Sequence, residues 1–457
     1  MTTFFRIYRR VGYATLAMSF VTGLMACSDL SNPSIPEGTQ SPTTYYTRQG
    51  GLELTKAAMS QFRTGIVQMI VHSGLLTDEF TNHPRTETNY RWIDPRERSG
   101  AFGNTQPYQM FHKVRGQAHL ARGILRVYAP DISPGILGQL YAIEGYSVLM
   151  LADVYCSGVP LSTLDFDGDF TYKPSSTTDQ LYTHAIALFD SALTLSSDSA
   201  SIRTLAQIGK GRALLRLGRY NEAKDAVVDV SDTDLYRLRI SFLDGPVIHV
   251  FGRAATVADN EGLNGLPFKS SGDPRTATQS VQYVYASVNE RLDFPQKYSF
   301  NDSTWLNLAN SVEAHLIRAE AALHEGTGNQ WLMILSALRT DGTYSKIDTL
   351  PGDIIDTVWN AGIGGVARLG PLSDPGTLEA RIKLLFDERA KWLFATGHRQ
   401  GDLRRLVRKY GWDSEMVYPT GNYNSGVSET GYYGVYTSFP IPEQEGRNPY
   451  FRGCLND

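Results

Sequence analysis

The residues of this chain best suited to chemistry are aromatic rings set beside hydrogen-bonding groups. Asp78 and Glu79 precede Asn89-Tyr90-Arg91-Trp92, so a carboxylate pair is followed by a phenol, a guanidinium and an indole in series. Sugar rings have apolar C–H faces and hydroxyl edges, and an aromatic plane flanked by Asp, Asn and Arg meets both. Asp78, Tyr90, Arg91 and Trp92 are therefore the first candidate ligand-binding set. Tyr298 and Trp305 form a second candidate platform. Each indole has a plainer reading as a ring packed on the scaffold, and the residues alone leave both open. Trp331, Trp359 and Trp392 read as core. The chain carries 25 Tyr against 6 Trp and 19 Phe. Several tyrosines (Tyr423, Tyr432, Tyr433, Tyr436) fall in loops rich in Gly, Ser and Asn, as on a wet recognition surface.

Motifs for other chemistry are missing. No P-loop, H-E-x-x-H or G-x-S-x-G pattern occurs. Gly362-Ile363-Gly364-Gly365-Val366-Ala367 has the glycine spacing of a dinucleotide turn, but it runs into Gly370-Pro371 instead of opening a helix. His112 and His119 stand seven apart and read as ordinary histidines. Asp165, Asp167 and Asp169 alternate around Gly168, yet the calcium-loop pattern fails at Phe170 and Ser176, so a solvated acidic loop is expected. Paired carboxylates for glycoside hydrolysis stay open, because 47 acidic residues offer many pairs whose separation a sequence does not give. A net charge of −4 and a pI near 6.2 give nucleic acid no basic face to bind. The expectation is a binding protein without cofactor or metal.

The elements that position these residues are helical hairpins. One pairs 139–154 with 180–196 across a long loop. A second, within 201–230, carries Gly211, Gly218, Tyr220, Ala223 and Val227 at the small and aromatic positions of a tetratricopeptide repeat. A third lies at 312–339, where Val312, Leu316, Ala319 and Leu323 share a face. The fourth spans 379–410. Ile382, Leu385, Phe386 and Leu393 line its first helix, while Leu403, Leu406, Val407 and Tyr410 line its second, which Gly411 ends. Arg389 sits inside the apolar stripe of the first and needs a carboxylate partner. Asp402 falls at the start of the second, where negative charge suits the helix dipole. Arg404, Arg405, Arg408 and Lys409 read as that helix's solvated face. No linker cuts the chain.

Glu388-Arg389, then Gly397-His398-Arg399 with Asp402-Leu403-Arg404-Arg405, then Phe439-Pro440-Ile441-Pro442-Glu443 and Asn448-Pro449, resemble the C-terminal signature of the SusD/RagB family of outer-membrane nutrient-binding lipoproteins. Leu393 and Thr396 stand where that pattern usually carries acidic residues. Gly272-Asp273-Pro274-Arg275 resembles the family's D-P-R motif, and the stretch from Glu144 to Leu161 its first repeat. The resemblance touches most of residues 53–456. It implies a mainly α, tetratricopeptide-like scaffold of about four helix pairs with long loop-rich insertions. It also implies binding without catalysis: a glycan, or a peptide as in RagB-like members, is passed to a SusC-like TonB-dependent outer-membrane transporter. A repeat scaffold organising envelope proteins is the alternative, which the long aromatic insertions disfavour.

The amino end agrees with export. Arg6, Arg9 and Arg10 precede a short apolar run over 11–25 that closes on Leu24-Met25-Ala26-Cys27. The ending resembles a bacterial lipobox, which makes 1–26 a lipoprotein signal peptide, Cys27 the lipidated residue and 27–44 a flexible tether to a single domain over 45–457. A plainer cleaved signal, or an uncleaved anchor, leaves Cys27 incidental. An outer-membrane, surface-exposed lipoprotein is the expected setting. Cys156 and Cys454 are then an even pair in an exported protein, read either as a disulfide or as two buried thiols.

Overall fold

The computed structural model describes residues 45–82, 93–97, 105–164, 170–241, 255–285, 288–298, 303–340, 369–424 and 428–455. Its helices are α1 (Arg48–Leu76), α2 (Thr105–Tyr128), α3 (Pro134–Val154), α4 (Thr178–Leu195), α5 (Ala200–Arg216), α6 (Tyr220–Ala226), α7 (Ser311–Glu325), α8 (Gln330–Thr340), α9 (Leu378–Trp392), α10 (Arg399–Arg408) and α11 (Ser414–Val417). The strands are short: β1 (Phe80–Asn82), β2 (Val159–Pro160), β3 (Thr163–Leu164), β4 (Phe170–Thr171), β5 (Ser175–Ser176), β6 (Leu235–Ser241), β7 (Ala255–Val257), β8 (Thr278–Tyr285), β9 (Val288–Pro295) and β10 (Ser303–Asn310).

Each helix from α1 to α6 packs on the next, and α7 packs on α8. The starts follow from side-chain caps. Thr47 accepts from Gly50 N, Asn310 from Glu313 N and Thr377 from Ala380 N, while Thr177 and Gln180 form a reciprocal capping box. Close packing depends on missing side chains. A Cβ on Gly209 would stand 2.5 Å from the Phe189 ring, so α4 and α5 meet only because Gly209 has none. Helix α3 is long and apolar enough to cross a membrane, yet 78% of its most apolar window is buried in the protein. It is the central core helix.

The strands pair two by two, all antiparallel. The pair that matters for the site is β6 with β10. Trp305 stands opposite Arg239 and Asn307 opposite Arg237, with the register slipping between Asn307 and Ala309. One apolar core runs through α1 to α5. A second gathers around Trp331, Leu316, Leu385 and Tyr418 between α7, α8 and the α9–α11 segment.

Three sequence expectations take a different form in the structure. The pair of α1 and α2, which precedes the first anticipated hairpin, is among the most closely packed. Helix α10 lies against α1 and α3 and meets α9 chiefly through side chains. Arg404 and Arg405 are buried. Arg404 Nη1 donates to the carbonyls of Ala152 (2.6 Å), Asp153 (3.1 Å) and Tyr155 (3.0 Å) at the C-terminus of α3, where Phe439 N donates to the Val154 carbonyl. Arg408 and Lys409 alone reach toward solvent, where they pair with Asp179.

The carboxyl tail is tied back onto this core. Cys156 and Cys454 form a disulfide with Cα atoms 5.6 Å apart, and Leu455 N donates to Ser157 O at 2.7 Å.

Candidate functional site

Tyr298, just after β9, and Trp305, within β10, line one cleft. Strand β10 supplies Trp305 and Asn307, two residues apart and so on one face of the strand. The turn after β9 supplies Lys297 and Tyr298. The opposite wall is the end of α9 and the turn beyond it: Trp392, Leu393, Thr396 and His398.

The geometry fixes each ring. Tyr298 is 6% exposed; its hydroxyl donates to Ala395 O at 2.7 Å, and its own carbonyl accepts from Gln279 Nε2 at 2.9 Å. The Arg237 guanidinium lies 4.0 Å from the Trp305 ring centre, a cation–π contact that stiffens the indole. Arg275 does the same for Trp392 at 4.9 Å, while Glu388 and Asp273 hold that arginine in turn. Trp305 is the half-buried ring of the three; Tyr298 and Trp392 show only an edge. The cleft is narrow, with an indole at its rim.

At the inner end stands Glu313, the single carboxylate among the lining residues. It accepts from Arg212 Nε and Nη2, both at 2.7 Å, and lies 3.2 Å from His398 Nε2. Burial opposes its charge, but Arg212 and His398 beside it hold its carboxyl well below the usual range. Burial, reinforced by Arg212, pushes His398 below an ordinary imidazole. A carboxylate clamped by a guanidinium is a poor base, and among the described residues that line the cleft there is no second one. Among the described residues, no group of three His, Cys, Asp or Glu converges as metal ligands would.

The first candidate set is divided. Asp78 is 1% exposed, and its oxygens take Arg399 Nε (2.7 Å), Arg399 Nη2 (2.8 Å) and Leu266 N (2.9 Å). Placed there it braces α10 against the scaffold and leaves a ligand nothing to contact. Tyr90, Arg91 and Trp92 lie outside the described residues, as do Cys27, the Asp165–Asp169 loop, the Gly362–Ala367 stretch and Trp359. The loop tyrosines also differ from expectation. Tyr423 donates to Asp94 and Tyr433 to Glu261, so both point inward, while Tyr432 is exposed. Trp392, read as core, belongs both to the second apolar cluster and to the cleft. Asn307 is the lining residue the sequence could have supplied, through its alternation with Trp305. Lys297 carried no signal beyond its adjacency to Tyr298.

No protein-family model and no curated protein matches this sequence. Solved structures do. A SusD-like carbohydrate binding protein from Bacteroides vulgatus superposes with a TM-score of 0.64 at 13% identity, over 89% of this chain and 97% of that one. Surface glycan-binding protein A from Bacteroides uniformis gives 0.60 at 14% identity, covering 89% and 99%. A laminarin-binding SusD-like protein gives 0.57 at 14%, covering 90% and 100%. The likeness is one of fold and extends over nearly the whole length of each: the chain has the SusD-like fold, mainly α with a repeat-like helical scaffold.

Proposed function

We propose that this chain, built on the SusD-like fold, is a non-catalytic surface protein that captures an oligosaccharide and hands it to a SusC-like TonB-dependent outer-membrane transporter. One observation carries the reading. Tyr298 and Trp305, chosen from sequence as a stacking platform, line the same cleft with Asn307 and Lys297 beside them. An indole braced by Arg237 offers a sugar its apolar face, and the amide and ammonium groups serve its hydroxyls. Structural neighbours described as carbohydrate-binding, glycan-binding and laminarin-binding support the ligand class. Tyr90, Arg91 and Trp92 stay the alternative ligand-binding set; they lie outside the described residues. Absence of turnover is part of the proposal, supported by the single, clamped carboxylate Glu313.

The test is calorimetric titration against laminarihexaose, maltohexaose, xylohexaose and oligogalacturonate, with mass spectrometry of each sugar after prolonged incubation. Saturable binding with every sugar recovered intact is expected. Measurable hydrolysis would overturn the non-catalytic reading, and binding of none, but of a peptide library, would move the ligand to the peptide class. Anchoring is proposed at Cys27. Cys27→Ser should release the protein from the membrane fraction while leaving it folded; equal membrane recovery would remove the lipid anchor from the account.

A further inference from the structure

One wall of the cleft takes its shape from a residue that does not line it. Leu393, Thr396 and His398 face the cleft, and between them Ala395 has φ +57°, a left-handed backbone disfavoured for any residue with a Cβ. Two hydrogen bonds hold it there. Its amide donates to Glu79 Oε1 at 2.9 Å, and its carbonyl accepts from the Tyr298 hydroxyl at 2.7 Å. Ala395 is thus gripped from behind by a carboxyl group and in turn grips the cleft-lining tyrosine. Glu79 is itself fixed. It is 1% exposed, it opens onto β1, and its carbonyl accepts from Ala258 N at 3.0 Å just beyond β7. Its second oxygen, Oε2, has no hydrogen-bond partner among the described residues.

We propose that Glu79 is a positioning residue for the ligand cleft: by fixing left-handed Ala395 it sets the place of Tyr298 without touching the bound sugar. The inference rests on the cleft being the binding site. The charged groups facing Glu79 are Asp78 from its own segment, Arg399 from α10 and Lys297 from the turn after β9. Arg399 is committed to Asp78, and Lys297 lines the cleft beside Tyr298. Burial, opposed by the Ala395 amide, pushes the Glu79 carboxyl up to about 8. Near neutrality the group is neutral and accepts the amide bond. Above that range it becomes a buried anion, which accepts the Ala395 amide more strongly and draws on the Lys297 charge, so the turn and Tyr298 shift together.

The experiment uses the whole protein with ring-13C tyrosine, the Tyr298 resonance being identified by its loss in Tyr298→Phe. In the wild type this resonance should shift with pH around a midpoint near 8. Glu79→Gln, which keeps an acceptor oxygen but does not titrate, should hold it unshifted. Glu79→Ala should move it at every pH and expose the Ala395 amide to hydrogen exchange. For binding, the probe is whichever of the four sugars above binds most tightly. Glu79→Ala and Tyr298→Phe should weaken it by similar factors, and the double variant no further, because both act through Ala395. A Tyr298 resonance indifferent to Glu79, or binding losses that multiply, would overturn the proposal; should Glu79→Ala not fold, the Glu79→Gln pH profile decides alone. If Trp305→Ala leaves binding intact, the cleft reading fails instead, and the resonance data still settle the Glu79 contact.

Discussion

Arg389 and Asp402 meet across the turn between α9 and α10, with Nε to Oδ2 at 2.9 Å and Nη2 to Oδ1 at 3.1 Å, both side chains buried. Asp402 also accepts from Arg216 Nη1 at 2.8 Å and Arg405 Nη2 at 3.0 Å. Asp153 takes the rest of Arg216, and Glu320 accepts from Arg405 Nη1, so three guanidinium groups face three carboxylates. Gly401 makes room for this knot, since a Cβ there would strike the Arg216 guanidinium and the Asp153 carboxylate. Arg389, Asp402 and Arg405, residues of the C-terminal motif, are what locks α10 onto α3, α5 and α7. They place the turn that forms one wall of the cleft.

Removing the central carboxylate should therefore be costly. Asp402→Asn leaves three buried guanidinium groups short of one negative charge, a loss of about 3–5 kcal/mol for a broken buried ion network. Urea denaturation measures it directly. A change below about 1 kcal/mol would mean that the network contributes little beyond geometry.

That Arg389 needed an acid was legible in the sequence, because a charge inside an apolar stripe has few alternatives. Which acid was not legible, nor that Asp402, in the first turn of α10 as expected, would also serve three arginines. Arg404 and Arg405 misled for the same reason. A helix wheel shows which residues share a face, but not that the face meets the carbonyl end of α3 and Glu320, both distant in sequence. Tyr298 and Trp305 were legible as ring types. Their convergence was not, because β10 takes its place by pairing with β6, and Tyr298 takes its own through Ala395.

Stability should fall as pH rises across neutrality. Burial raises Glu79 from 4.5 to about 8, and burial with Glu261 nearby raises Asp94 from 3.8 to about 7. Between the unfolded and folded values the native state binds protons that the unfolded chain has released, so it loses stability as pH climbs through that window. Asp402 acts oppositely and far lower. Burial opposes its charge, but Arg389, Arg405 and Arg216 hold its carboxyl well below the usual range, so its contribution is lost only in strong acid. The melting temperature should peak in mild acid and decline toward pH 9, with a shallower decline in Asp94→Asn. A maximum at pH 8 to 9 would contradict the assignment.

The Cys156–Cys454 bridge closes a separation of 298 residues. In the chain-entropy model its loss costs up to about 5 kcal/mol, and commonly less. Cys454→Ser should lower the melting temperature and free the tail, whose Leu455 amide now bonds Ser157 O. Limited proteolysis would then cut after Asn448 in the variant and not in the wild type. Equal cleavage of both would show that noncovalent packing alone holds the tail.

The measurement closest to the central claim is the affinity of Trp305→Ala for the best-bound oligosaccharide, taken together with its melting temperature. The half-buried indole at the cleft rim should contribute about 1–3 kcal/mol of stacking, like an aromatic hot spot. Affinity should then fall roughly 5- to 150-fold with the melting temperature nearly unchanged. Unaltered affinity, or a loss of about 3–5 kcal/mol in stability as for a truncated core aromatic, would contradict the cleft as the place where this protein holds its sugar.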